Sequence, residues 1–202
     1  MPGSRIAEVA RLGAPFAAAA ARIAQLHPRW QFIAPMASSA AHAAFVKEVA
    51  QVRDAPGIQI LDGEAQRALA ACDAAIVASG TATLETLLTG RPMVVAYRVT
   101  ALTAFLLRTL RLVKVPYFSQ PNLLAGRRLV PEFFQEQVQG AALGDALLKE
   151  LEDPDHVREL LAAFSEIHGS LRCEGAARAA EAILKCARWD SGPAALADGA
   201  GA

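Results

Sequence analysis

The chain of 202 residues balances 20 Lys and Arg against 20 Asp and Glu, is 53% hydrophobic and carries only 6% aromatic residues. That composition excludes a disordered polyelectrolyte and a collagen-like fibre. Zero formal net charge removes the electrostatic footprint that non-specific nucleic-acid binding needs, so no nucleic-acid partner is expected.

Alanine is the commonest residue, and closely packed helices are expected to build much of the core. Ile6 to Leu26 reads as the first helix, with Ile6, Val9, Leu12, Phe16, Ile23 and Leu26 near helical spacing. A strand at Trp30–Ala34, a helix from Ala40 to Val52 and a strand at Ile58–Leu61 follow, the last introduced by the turn pair Pro56-Gly57. The alternation continues through a helix at Glu64–Ala71, a strand at Ala74–Ala78, a helix at Thr81–Thr89 and a strand at Met93–Ala96, with Gly90-Arg91-Pro92 as the break. Residues 91–133 combine strand-like runs with Pro116, Pro121 and Pro131. Helices are expected at Ala141–Glu152, Pro154–His168 and Gly175–Trp189, before an Ala/Gly tail expected to be disordered.

Alternating elements of this length imply an α/β fold: a Rossmann-like parallel sheet with flanking helices. The expected organisation is a sheet domain over 1–140, C-terminal helices over 141–189 and a tail over 190–202. Pro2-Gly3-Ser4-Arg5 reads as a strand-to-helix turn with no strand ahead of it, and in a doubly wound sheet the first strand lies beside the ligand-binding switch point. The expectation is therefore that a first strand is missing and that the chain is a fragment or carries a misplaced start. Cys72, Cys173 and Cys186 are odd in number and widely spaced, which suits reduced cytosolic thiols. No signal-peptide pattern and no run of about 20 apolar residues is present, so a cytoplasmic address is expected.

Ser79-Gly80-Thr81 follows a strand and opens a helix, a position whose N–H groups and helix dipole favour an anion. The plainer alternative is a helix cap at Ser79 and a turn at Gly80. Glu85, one turn into the same helix, is placed to accept hydrogen bonds from ribose hydroxyls, or else is a solvated helix-face charge. Arg5 stands at a helix N-terminus, unfavourable for a cation unless an anion shares the site; its alternative is a flexible surface arginine. Asn122, after Pro121, has a turn-building alternative.

The text SGTATLETLLTGRPMVVAYRV with VKVPYFSQPNLLAGRRLVPE, and the opening Pro2-Gly3-Ser4-Arg5-x-x-Glu8-Val9, closely resembles the C-terminal half of the lipid-A-disaccharide synthases, glycosyltransferases of the two-Rossmann-domain GT-B architecture. The resemblance runs to about Trp189. It implies transfer of a diacylglucosamine unit from UDP onto an acylated glucosamine 1-phosphate, in lipid A biosynthesis, by inversion and without a metal or other cofactor. It assigns Arg5, Ser79, Gly80 and Thr81 to the diphosphate, Glu85 to the ribose and Asn122 to the active-site cleft, and counts Ser4 among the substrate-binding residues. A non-catalytic nucleotide-binding fragment and another UDP-sugar GT-B enzyme are the competing readings; the latter would share the SGT-to-Glu layout without PNLLAG.

The general base is expected in the absent N-terminal half. His27, His42, His156 and His168 show no recognisable partner in the sequence, and no metal-ligand spacing occurs. Thr100–Lys114 sets Leu102, Phe105, Leu106 and Leu110 beside Arg108, Arg111 and Lys114, a composition that suits an interfacial helix on the inner membrane face or, alternatively, a helix docked on the protein's own core. The final helices are candidates for a homodimer contact.

Overall fold

The computed structural model describes residues 1–100, 103, 116–172 and 175–190. Element order is α1 (Ile6–Leu26), β1 (Phe32–Met36), α2 (Ser39–Val49), β2 (Ile58–Asp62), α3 (Ala65–Ala71), β3 (Ala75–Ala78), α4 (Thr81–Leu88) and β4 (Met93–Tyr97). After the segment that includes 101–115 come α5 (Gln120–Ala125), β5 (Glu132–Phe134), a short 3-10 turn (Gln135–Gln137), α6 (Gly140–Glu152), α7 (Pro154–Leu171) and α8 (Gly175–Asp190). The expected interfacial helix, apart from Thr100 and Thr103, lies outside the described residues, as does the tail 191–202.

Among the described residues all strand pairing is parallel, in two sheets: β1 beside β2, and β3, β4, β5 in that order. The α/β expectation holds, and β4 shows why: Met93, Val94, Val95 and Ala96 are all fully buried, as a strand covered by helices on both faces must be. One face of this sheet is packed by Leu12, Phe16, Ala19 and Ile23 of α1 with Leu143 and Leu147 of α6. The other is packed by Leu87, Leu160 and Phe164. Val9, Ala34, Met36, Ala41 and Phe45 form a third core beneath the β1–β2 pair.

The alanines of α1 let α6 approach closely. A Cβ added to Gly140 would stand 2.4 Å from the Ala18 Cβ, and one on Gly144 would stand 3.1 Å from the Ala19 carbonyl oxygen. Pro15 sits inside α1 and has no N–H for the Arg11 carbonyl four residues back. That carbonyl accepts instead from the Arg98 Nη1 at 3.3 Å, while Arg98 also donates to Gln135 O at 3.1 Å and Val138 O at 2.6 Å. One guanidinium thus ties the exit of β4 to α1.

Two compact units are distinguished, Met1–Ile167 and His168–Ala202. Helix α6 and most of α7 therefore belong with the sheet, so the first unit reaches well past residue 140, because Leu143, Leu147, Leu160 and Phe164 are core residues of it. The second unit contains α8, with Ile183 and Leu184 exposed. Among the described residues no helix is long and apolar enough to cross a membrane.

Candidate functional site

Two loops, Pro2–Arg5 and the one that follows β3, lie side by side at the carboxyl end of β3. The Ala78 N–H donates to the Met1 carbonyl at 2.9 Å, which sets Pro2–Arg5 next to Ser79–Thr81. Carboxyl-end loops next to the switch point are where open α/β sheets bind ligands.

In the second loop Gly80 has φ 151° and ψ −160°, a conformation essentially restricted to glycine, and it is the N-cap of α4 without any side-chain cap. Among the described residues a Cβ built there meets nothing within 4 Å. The glycine is required by its backbone, and the position above it is open among the described residues. No side chain caps the helix, so the first N–H groups of α4 have no side-chain capping partner among the described residues. Ser79 does not cap the helix: its hydroxyl donates to Phe118 O at 3.1 Å and so fastens the loop before α5 to the end of β3. Thr83, fully buried, donates its hydroxyl to Gly80 O at 2.8 Å and fixes the first turn from within.

Thr81 and Glu85 lie four residues apart on one face of α4, Thr81 exposed and Glu85 half-buried. No hydrogen bond or ion pair engages the Glu85 carboxylate among the described residues. A half-buried carboxylate without a partner, one turn in from an uncapped helix end, is free to accept two hydroxyl donors.

The first loop is arranged differently. Gly3, at φ 116°, turns the chain over the Glu8 side chain, which a Cβ at this position would meet at 2.6 Å. The Glu8 carboxylate accepts the Ser4 N–H at 3.2 Å and the Arg5 N–H at 3.4 Å, and pairs with the Arg5 guanidinium at 3.4 Å. So an anion does share the N-terminus of α1 with Arg5, and it is the chain's own glutamate. Arg5 is 82% exposed and can turn toward a neighbouring loop, whereas the Ser4 and Arg5 amides are already engaged.

Asn122 is fully buried. Its amide nitrogen donates to Val130 O at 2.9 Å and to Glu132 Oε1 at 2.8 Å, and its oxygen accepts from Leu129 N at 2.7 Å and Val130 N at 2.9 Å. Every hydrogen-bonding capacity of that amide inside the fold is used, so it shapes the loop beneath the cleft. The centre of this network is Glu132, which sequence reasoning missed. Its carboxylate accepts from the Phe118 N–H, the Ser119 N–H at 2.8 Å and the Ser119 hydroxyl at 2.5 Å as well as from Asn122. No local motif marks it; its partners lie 10 to 14 residues upstream. Glu8 was more legible, three residues after the N-cap Arg5, the spacing at which a glutamate reaches back to cap.

Tyr97, Phe118 and Phe134 gather at the carboxyl ends of β4 and β5 with ring centroids 6.1 Å apart, an apolar wall next to the Ser79 anchor. Two histidines do have partners: His42 Nδ1 lies 2.7 Å from Asp62 Oδ1, and His156 Nε2 lies 3.0 Å from Glu150 Oε2. His27 stacks on Trp30 at 4.3 Å. Among the described residues no three His, Cys, Asp or Glu side chains group in a way that would hold a metal ion.

These features define an α/β protein of Rossmann-like type, with an open, uncapped helix end at the carboxyl edge of a parallel sheet. A family model described as lipid-A-disaccharide synthetase matches residues 1–184, and the chain belongs to that family. It is 50% identical over 184 residues to the lipid-A-disaccharide synthase of Pseudomonas putida strain GB-1 and 49% identical over 185 residues to that of Pseudomonas aeruginosa strain LESB58. The match to the enzyme of Pseudomonas entomophila strain L48 is 47% over 184 residues. These alignments cover 91–92% of this chain but 47% of each relative, so the chain spans about half the length of the curated relatives it matches.

Proposed function

We propose that this chain is the donor-binding half of a lipid-A-disaccharide synthase. It would hold UDP-2,3-diacylglucosamine while the sugar is transferred to 2,3-diacylglucosamine 1-phosphate, giving the disaccharide 1-phosphate and UDP. The observation that carries the reading is the uncapped start of α4 above Gly80, with the unpartnered Glu85 one turn further in. A diphosphate on the Thr81 and Ala82 amides would meet both the helix dipole and free N–H donors. The ribose hydroxyls would then reach Glu85, and the exposed Arg5 guanidinium would swing from Glu8 to the phosphates.

In the reaction the acceptor hydroxyl oxygen bonds to the donor's anomeric carbon as the bond from that carbon to the UDP oxygen breaks. The hydroxyl proton goes to a base outside this chain. Negative charge grows on the departing diphosphate, and preorganised donors at α4 and Arg5 are the groups placed to stabilise it, with no metal in the step. Asn122 and Glu132 serve by holding the 116–132 segment in place. Contact of the 100–114 segment with the inner membrane face and self-association through the C-terminal helices belong to the same proposal.

The test is turnover of the full-length enzyme carrying Glu85→Ala or Arg5→Ala. Loss of a hydrogen-bonded charged group typically costs about 1.5–3 kcal/mol, which predicts roughly 10- to 150-fold lower kcat/KM. Unchanged kinetics in both variants would refute the site. A second reading, the chain as a nucleotide-binding module without transfer activity of its own, is favoured by its 47% coverage of its relatives. Glycosyl transfer by the 202-residue chain alone would exclude it.

A further inference from the structure

Three aromatic rings stand on the α4 side of the sheet at its carboxyl edge. Val95 packs with Leu87 of α4 whereas Ala96 packs with α1 and α6, so alternation returns Tyr97 to the α4 side. Phe133 packs with the α1 cluster, so Phe134, the register partner of Tyr97, faces the α4 side as well. Phe118 packs against the cluster that holds Leu87 and Ala82 and completes the group, with each pair of rings 6.1 Å apart. Tyr97 is 36% exposed, and its hydroxyl has no hydrogen-bond partner among the described residues. The acid beside the group, Glu132, is taken up by its own donors from Phe118, Ser119 and Asn122.

Two hydrogen bonds join this wall to the start of α4. The Ser79 hydroxyl donates to Phe118 O at 3.1 Å, and the Gln120 N–H donates to the Thr83 hydroxyl at 3.4 Å. Thr83 is turned about 160° around α4 from Thr81 and Glu85, so the Glu85 face and the wall lie on different sides of one helix end. A ligand with its diphosphate on that end and its ribose on Glu85 sends its remaining substituent toward the wall. Exposed rings favour an apolar group, and the free phenol favours a carbonyl oxygen at its rim. An amide- or ester-linked hydrocarbon chain supplies both.

We propose that Tyr97, Phe118 and Phe134 form the subsite for an acyl chain of the donor sugar, with the Tyr97 hydroxyl donating to the carbonyl oxygen at the root of that chain. The inference rests on the reading of α4 as the diphosphate site, and it adds the residues that select an acylated sugar over a plain one. The rings contribute apolar contact, which grows with the methylene groups removed from water. The phenol fixes where the chain begins, and the Ser79 anchor fixes the wall relative to the diphosphate.

The test measures, by isothermal titration, the binding of UDP, UDP-N-acetylglucosamine and UDP-2,3-diacylglucosamine to the 202-residue chain, the last below its critical micelle concentration. The native chain is expected to bind the diacyl donor about tenfold or more tighter than UDP-N-acetylglucosamine, the factor that burial of two methylene groups already corresponds to. Tyr97→Ala and Phe134→Ala should each cut that advantage to about threefold or less while UDP binds within about twofold of native, which also shows that the variant is folded. Tyr97→Phe keeps the ring and should retain more of the advantage than Tyr97→Ala. If Phe134→Ala does not fold, Tyr97→Ala, at an exposed ring, decides. No preference for the diacyl donor in a chain that binds UDP, or a preference that survives the substitutions, would overturn the subsite. Equal weakening of all three ligands in a folded variant would overturn it too, because the wall would then hold the nucleotide. A native chain that fails to bind UDP would instead refute the reading of α4, and the subsite with it.

Discussion

Asn122→Ala separates a residue that shapes the cleft from one that touches a ligand. The substitution removes four hydrogen bonds and leaves the Leu129 N–H, the Val130 N–H and the Val130 carbonyl unpaired at positions that are 9% and 0% exposed. Glu132 keeps its donors from Phe118 and Ser119. Three orphaned buried groups, each at the low end of about 1–3 kcal/mol, sum to roughly 3 kcal/mol. At about 2–4 °C per kcal/mol for a unit of this size, the unfolding midpoint should fall by roughly 6–12 °C. Urea unfolding followed by circular dichroism gives the free energy directly. Asn122→Asp keeps the acceptor but places a carboxylate beside Glu132 Oε1 and the Val130 carbonyl, so it too should destabilise at neutral pH and recover in part on acidification. A loss below about 1 kcal/mol in Asn122→Ala, well under the expected cost of the orphaned groups, would show that the amide is not the clamp of this segment.

Gly80→Ala meets no steric obstacle but forces alanine to φ 151°, so it should cost about 1–3 kcal/mol in urea unfolding; a neutral result would mean that the turn relaxes freely. Glu85→Ala should leave stability within about 0.5 kcal/mol of the parent, since no protein partner is lost among the described residues.

The parts of the fold that were legible in the sequence are those where local pattern and tertiary burial agree. The buried run Met93–Ala96 and the Ser79-Gly80-Thr81 junction appear where the apolar run and the glycine put them. Elements governed by distant contacts were not legible. α5 begins at Gln120 with Pro121 in its first turn, where a proline is tolerated, although the same proline reads as a breaker in sequence. β5 has only three residues and exists because it pairs with Val95–Tyr97. β1 lies two residues later than its apolar text suggests, because Trp30 is drawn into a turn with His27 through a backbone bond and ring stacking. In the site, Gly80 and Glu85 carried their own signals. The engagement of Ser4 and Arg5 by Glu8, and of Asn122 by Glu132, depended on side-chain reach that spacing alone does not reveal.

Titration of the chain with UDP, followed by backbone amide chemical shifts, tests the central claim most directly. The Gly80, Thr81 and Ala82 amides should shift together and saturably, and Glu85→Ala should weaken the apparent affinity while the same three amides still respond. Shifts absent from the start of α4, or confined to some other surface, would contradict the assignment of the nucleotide to this helix end.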